Sequence, residues 1–297
     1  MTPSDIRDIR RSLLRWYAVH RRPFPWRRTR DPYRILLSET MLQQTQASRA
    51  AEHFRRWLRR FPTVAHVARA PQSDVLRAWS GLGYNSRALR FHALARIVAS
   101  RRPVRFPSTP EALRELPGVG RYTAHAVACF AFGAAVPVVD VNVRRIVSRL
   151  TRRPDRTGAY VPEEEAWRIA ERLLPPRRAY DWNQALMDLG ATVCNARRPR
   201  CGACPLARRC PSAFSPRLAE PVKRTAKREP MWRGVPRRLH RGRLLTFLHG
   251  GPASAPQLAA GLWNDAAQKD VEWVEGLLGR MCAEGLLRKE RTLYRVA

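Results

Sequence analysis

"LPGVGRYTAHAV", from Leu116 to Val127, is the stretch whose reading decides the fold. Gly118 and Gly120 flank Val119, between "STPEALRE" before and "YTAHAVACFAFG" after, both of helical character. Glycines let a backbone approach a ligand closely, and the free N–H groups opening the next helix can bind a phosphate. A hairpin of this kind grips a nucleic-acid backbone through Gly118, Val119 and Gly120 without reading bases. An ordinary turn between helices is the competing explanation, so the remainder of the chain must arbitrate.

Charge favours the grip. The 297 residues carry 56 Lys and Arg against 24 Asp and Glu, a formal net charge of +32. That exceeds what solubility requires and implies a polyanionic partner, with nucleic acid first because its backbone rewards many weak cationic contacts. Only four of the basic residues are Lys (Lys223, Lys227, Lys269 and Lys289), all beyond residue 220. A bias toward Arg explains the choice of cation but not the scarcity of acids. No apolar run is long enough to span a bilayer, and the N-terminus lacks a signal-peptide core, so no membrane association and a cytoplasmic, nucleoid-associated location are expected.

Outward from the hairpin the pattern is of short helices broken by turns, with almost no strand signal, which predicts an all-α fold. Ile6, Ile9, Leu13, Leu14 and Trp16 share one face of a first helix with Ser4 as its expected N-cap, and Ser73 and Ser108–Thr109 are read as further caps. "RRPFPWRRTRDPY" is a basic, Pro-rich connector. The expected organisation is a helical subdomain from 1–30 and 138–212, a helical bundle with the hairpin from 31–137, a linker over 213–239 and a small unit over 240–297. Three helices followed by the ribbon-like "LLRKERTLYRVA" suggest that this last unit is a winged helix.

Two further stretches carry chemistry. "CNARRPRCGACPLARRC" places Cys194, Cys201, Cys204 and Cys210 in one loop, and the chain has only two other cysteines, Cys129 and Cys282, read as core residues. Clustered thiolates in a reducing compartment point to metal rather than disulfides, and the spacing alone leaves Zn and an iron–sulfur cluster open. Arg197, Arg198, Arg200, Arg208 and Arg209 around this loop are expected to face phosphate or simply solvent. Separately, Glu39 stands in the apolar-to-amide run "LLSETMLQQTQ", where burial would raise its pKa and keep it protonated. Asp140, in "VVDVNVRR", is either a helix N-cap or a carboxylate poised against a sugar cation.

Hairpin, Asp140 and four-cysteine loop, in this order, resemble the helix-hairpin-helix DNA glycosylase superfamily that contains endonuclease III. "LLSETMLQQTQ" and "GLGYNSRA" (Gly81 to Ala88) look like its MutY branch, the adenine glycosylases, and the likeness covers roughly residues 15–212. The resemblance implies two helical subdomains, a [4Fe–4S] cluster on Cys194, Cys201, Cys204 and Cys210, and double-stranded DNA containing a mispair as substrate, bound by a monomer. It implies that Glu39 protonates adenine and then activates water, that Asp140 stabilises the oxocarbenium ion, and that Asn142 orients Asp140. Gln44 and Tyr84 would wedge into the duplex, and Arg22, Trp26, Leu42, Tyr122 and Gln184 would line the adenine pocket. Trp26 and Tyr84 could equally be core aromatics.

Bifunctional relatives place a Schiff-base Lys where this chain has Tyr122, and residues 1–220 contain no Lys at all, so a monofunctional enzyme is expected. Tyr at this position also occurs in relatives acting on T or U opposite G, which keeps a mismatch glycosylase as the alternative. A non-catalytic DNA-binding protein is a further one, disfavoured by the presence of two acids. The tail is too short for the Nudix-like domain of larger adenine glycosylases and resembles the short form found in actinobacteria. Its basic wing, "RKERTLYR", either touches DNA or only braces the fold.

Overall fold

The computed structural model describes residues 1–152, 160–219 and 229–297. In chain order the helices are α1 (Pro3–His20), α2 (Pro32–Leu42), α3 (Ala47–Arg60), α4 (Val64–Arg69), α5 (Gln72–Trp79), α6 (Ser86–Ser100), α7 (Pro110–Arg114) and α8 (Arg121–Phe132). They continue as α9 (Val141–Thr151), α10 (Glu163–Leu173) and α11 (Ala179–Thr192). The hairpin β1 (Met231–Trp232) and β2 (Val235–Pro236) leads into α12 (Arg237–Leu248), followed by β3 (Ala253–Ser254), α13 (Ala255–Leu262), α14 (Gln268–Ala283), β4 (Leu287–Glu290) and β5 (Leu293–Val296). Among the described residues before 229 there is no strand, in agreement with the all-α reading. None of the described helices is long and apolar enough to cross a membrane.

The chain forms two compact units. The first holds Met1–Leu36, Pro107–Glu115 and the described residues from Val119 to 219; the second holds Leu37–Phe106, Leu116–Gly118 and the described residues from 229 to Ala297. In the first, α11 packs against α1 and α9, and α9 against α10. Ile9, Leu13, Ile146, Val147, Trp182 and Leu186 are buried between these helices. Helix α1 begins two residues earlier than its Ser4 suggests: Thr2 is the N-cap, Pro3 takes the first turn, and Thr2 and Asp5 form a capping box. Ser73 lies inside α5, whose N-cap is Pro71, whereas Thr109 does cap α7 by accepting from the Ala112 amide.

In the second unit Trp57 sits edge-on to Trp79 and Phe91, joining α3, α5 and α6 around one aromatic centre. The C-terminal part of the same unit is a winged helix. The sheet order is β3-β5-β4, antiparallel throughout, with Leu287 opposite Val296 and Ala253 opposite Tyr294. Leu244, Leu258, Val274, Leu277 and Leu278 are buried beneath it. The ribbon was legible in the alternation of "LLRKERTLYRVA"; β3 was not, because two residues carry no period. Of the stretch read as a linker, 220–228 lie outside the described residues, and Met231–Pro236 form the β1–β2 hairpin.

That hairpin is tied to α14 by a buried charge. Asp270 is fully buried and accepts from Arg233 Nη2 at 2.7 Å, from Trp232 Nε1 at 2.9 Å and from the Ala267 amide at 2.9 Å. Arg233 first, then the Ala267 amide, holds its carboxyl well below the usual carboxylate range, against the upward push of burial. A group with a depressed folded-state pKa stabilises fully above its unfolded value of about 3.9 and loses that contribution as pH falls through its folded value. The C-terminal winged helix is therefore expected to keep constant stability from neutrality to about pH 5 and to weaken below pH 4. Asp270→Asn should lower its thermal midpoint at neutral pH and flatten the acid dependence, measured by circular dichroism melts; an unchanged midpoint and acid slope would contradict the assignment.

Candidate active site and DNA interface

In the first unit Asp140 is the N-cap of α9. Its Oδ1 accepts from the Val143 amide at 2.7 Å and its Oδ2 from Asn142 Nδ2 at 2.7 Å. The two readings of this residue are therefore compatible, since the cap uses one oxygen and leaves the group half-buried. Asn142 is held in turn: its Oδ1 accepts from Arg145 Nη2 at 3.0 Å, and a Cβ at Gly190 would lie 2.7 Å from Asn142 Cβ, so only glycine admits it. Buried Arg145 also donates to the carbonyls of Gly190 and Cys194, both at 2.8 Å. Asn183, another buried residue, bonds the Val136 carbonyl and the Val138 amide and so fixes the approach to Asp140.

Arg22 and Trp26 lie in the same unit, on the connector after α1. Trp26 is buried in a 3-10 turn and stacks on Phe24 at 4.9 Å. What holds this connector is Asp188, fully buried on α11. It accepts from Arg22 Nε at 2.6 Å, from the Arg22 amide at 3.1 Å, and from Arg27 Nη1 and Nη2 at 2.7 and 2.9 Å. Burial alone would raise its pKa, but Arg27 and then Arg22 overcome this and hold it below the usual range. Nothing in the sequence singles out Asp188, because its partners lie more than 160 residues away. Gln184 is buried on α11 and Tyr122 is half-buried in the first turn of α8.

The four loop cysteines, all free thiols, line one small cavity with Arg149, Val193 and Leu218. Arg149 donates to Cys194 Sγ at 3.2 Å and to the carbonyls of Asn195 and Ala196. Among the described residues no group of three or more His, Cys, Asp or Glu converges on a single-ion site. Of the five loop arginines, Arg209 is spent on Asp5 and Asp8 of α1 and Arg200 on the Thr192 carbonyl. Arg197, Arg198 and Arg208 are exposed. Cys129 is a core residue whose thiol burial pushes up to about 11; Cys282 is only half-buried.

The second unit carries Glu39, Leu42, Gln44 and Tyr84. Glu39 is 5% exposed on α2, between the fully enclosed Leu37 and Met41, in keeping with the burial expected of it. Gln44 and Tyr84 are exposed and both have left-handed backbone, φ 56° and 46°. Non-glycine residues held there cost about 1–3 kcal/mol each and persist only where the surroundings impose them. Tyr84, 54% exposed, is no core aromatic.

Arg87 imposes both turns. Its buried guanidinium donates to the carbonyls of Thr40 (2.8 Å), Met41 (3.1 Å) and Gln43 (2.7 Å), and to those of Leu82 (3.3 Å) and Gly83 (3.0 Å). It lies over the rings of Trp79 and Tyr84. Burial pushes its pKa down to about 10, which leaves it charged at neutrality. In the sequence it is one arginine of many within "GLGYNSRA", and no pattern marks it.

The hairpin glycines differ. Gly118 has φ +79° and an added Cβ would lie 2.9 Å from Arg90 Cβ, so the fold itself demands glycine. Gly120, the N-cap of α8, has φ −87° and open space where a Cβ would be. Val119 turns its side chain into the interior, leaving the exposed backbone of Gly118 and Gly120 at the surface.

The chain is 44% identical over 273 residues to an adenine DNA glycosylase of Mycobacterium tuberculosis, covering 90% of this chain and 87% of that one. The chain belongs to the MutY-type adenine DNA glycosylases. A profile of the HhH-GPD superfamily of base excision DNA repair proteins matches residues 37–172. A second adenine DNA glycosylase, from Mycolicibacterium smegmatis, is 43% identical and covers 87% of each chain. Among solved structures, a thermostable thymine-DNA glycosylase superposes with a TM-score of 0.64 at 31% identity, covering 70% of this chain and 96% of that one. The helical fold and short C-terminal unit described above are thus those of a MutY-type family member.

Loss of Arg87 leaves the buried carbonyls of Thr40, Met41 and Leu82, and the part-buried ones of Gln43 and Gly83, short of a charged donor. Arg87→Met should cost on the order of 2–4 kcal/mol in chemical denaturation and open both turns to proteolysis, while Arg87→Lys, with fewer donors, should recover only part. Equal stability of the three proteins would show that the turns hold themselves.

Proposed function

We propose that the protein is a monofunctional DNA glycosylase that hydrolyses the N-glycosidic bond of adenine mispaired with 8-oxoguanine or guanine in double-stranded DNA, as a step of base excision repair. The observation that carries this reading is the likeness to adenine DNA glycosylases over 90% of the chain. The thymine-specific alternative draws on a likeness both weaker and shorter.

Glu39 would supply the proton that turns adenine into a leaving group, and as a carboxylate would then take a proton from the attacking water. Asp140 would face the sugar and oppose the cation that develops as the bond breaks. Its half-buried carboxylate already has Asn142 and the Val143 amide as partners, so it needs no reorganisation as charge builds. The adenine must leave the stack, and Tyr84 and Gln44, rigidly presented by Arg87, would take its place. Arg22, Trp26, Leu42, Tyr122 and Gln184 would line the pocket that receives it. Without a Lys before residue 223 the catalytic region has no ε-amine for a Schiff base, so strand nicking is not part of the reaction.

Cys194, Cys201, Cys204 and Cys210 would hold a [4Fe–4S] cluster. The four cysteines line one cavity, which supports a cluster held by four thiolates. When bound, the cluster supplies a rigid cross-link of the loop. The protein would act as a monomer in the cytoplasm, associated with the nucleoid.

Duplexes with a labelled A or T opposite 8-oxoguanine, guanine or cytosine, treated with hot alkali, test the reaction. Cleavage is expected at A opposite 8-oxoguanine or guanine, dependent on alkali, with no borohydride-trapped adduct. Glu39→Gln should abolish excision and retain duplex binding. Cleavage confined to T opposite guanine would replace this reading with the mismatch enzyme.

The hairpin offers an independent check. Gly118→Ala should destabilise the protein by about 1–2 kcal/mol through left-handed strain and the Arg90 clash. Gly120→Ala should leave stability unchanged yet weaken duplex affinity, since its open space is expected to admit a phosphate. Equal affinity of Gly120→Ala and the parent would remove the hairpin from the interface.

A further inference from the structure

Within the second unit a cleft of about 690 Å³ lies between α12 and the Gly81–Asn85 loop. It is open to solvent, with Leu239, Gly242 and Arg243 of α12 exposed along it. The two parts of the unit are joined beside it, by Gln72 Nε2 to the Gly285 carbonyl at 2.9 Å and by Arg77 to the His249 carbonyl at 3.1 Å. The cleft is thus kept open by contacts at its edges.

Its lining is one-signed. Arg49, Arg238 and Arg243 border it, and no Asp or Glu does. Arg237, Arg238, Arg241 and Arg243 crowd the first two turns of α12. Arg238 pairs with Glu229 and Arg241 with Glu284, but exposed Arg243 has no carboxylate partner among the described residues. Gly81, Gly83 and Asn85 line the opposite wall, so the mouth adjoins exposed Tyr84.

The other faces of the winged helix mix both signs of charge: Lys269 and Arg280 stand with acids on α14, and Glu290 stands among the bases of the wing. Helix α14, which a helix-turn-helix module would lay in the major groove, exposes Glu272 and Glu275. At the wing, Arg295 pairs with Glu290 and Lys289 lies over Tyr294, while Arg288 and Arg291 are exposed on the β4–β5 ribbon and do not border the cleft. We propose that the cleft binds the phosphate backbone of the duplex, so that the C-terminal unit grips DNA through α12 beside the Tyr84 loop and not through α14 or the wing. This rests on the reading of the protein as a DNA glycosylase and adds a site to it.

The test uses the full chain, a fluorescein-labelled duplex without a mispair, and anisotropy titrations from about 50 to 200 mM salt. Arg243→Gln should weaken binding by about three- to tenfold and reduce the slope of log K against log salt by about 0.9, the value of one phosphate contact. Thr246→Glu, which places a carboxylate on the cleft wall, should weaken it further at unchanged thermal midpoint. Arg288→Gln with Arg291→Gln, at the wing, should stay within about twofold of the parent. Parental affinity and slope in both cleft variants, or loss confined to the wing variant, would overturn the assignment. Single-turnover excision at saturating protein separates the two claims. A chain that shows the cleft-dependent salt pattern but excises nothing retains the cleft and loses the glycosylase reading. One that excises adenine with cleft variants binding normally does the reverse.

Discussion

Guanidinium groups donating to main-chain carbonyls hold the segments on which the candidate chemistry depends. Arg87 gathers five carbonyls from two turns, Arg145 joins the Gly190 and Cys194 carbonyls to Asn142, and Arg149 binds the start of the cysteine loop. Loops cannot satisfy their own carbonyls as helices do, and a buried unpaired carbonyl is costly. Arginine solves this with several donors in one rigid fork. For buried Arg87, Arg145 and Arg149, main-chain oxygens take the role that a carboxylate would otherwise fill.

The three buried carboxylates divide along the same line. Asp188 and Asp270 are each locked by arginine and act as anchors, one for the connector bearing Arg22 and Trp26, the other for the β1–β2 hairpin. Both are kept ionised, which suits a fastening. Glu39, buried on α2, is the acid proposed to give adenine its proton. Asp140, half-buried at the N-cap of α9, combines capping through one oxygen with a bond from Asn142 to the other. Rigid presentation is the common feature: residues meant to meet a substrate are fixed by neighbours that do not.

The positive field has two uses in this molecule. Part is absorbed internally, as with Arg209 on Asp5 and Asp8 or Arg233 on Asp270. The remainder is left facing solvent on the cysteine loop and along α12, where an external polyanion can complete it.

By itself the sequence determined the helical class, the hairpin, the four-thiol loop, the two acids and the winged C-terminal unit. These are local matters: helical period, glycine spacing, cysteine spacing and strand alternation are written within a few neighbouring residues. Thr2 in place of Ser4 as the first cap shows the usual uncertainty at element ends. Only the tertiary structure decided that Asp188 fastens the connector, that Gly190 makes room for Asn142, that Arg87 shapes both exposed turns, and that α12 faces the Gly81–Asn85 loop across an open cleft. Each of these joins residues tens to more than a hundred positions apart, and a chain with 52 arginines among 297 residues offers no local mark of which one will be buried.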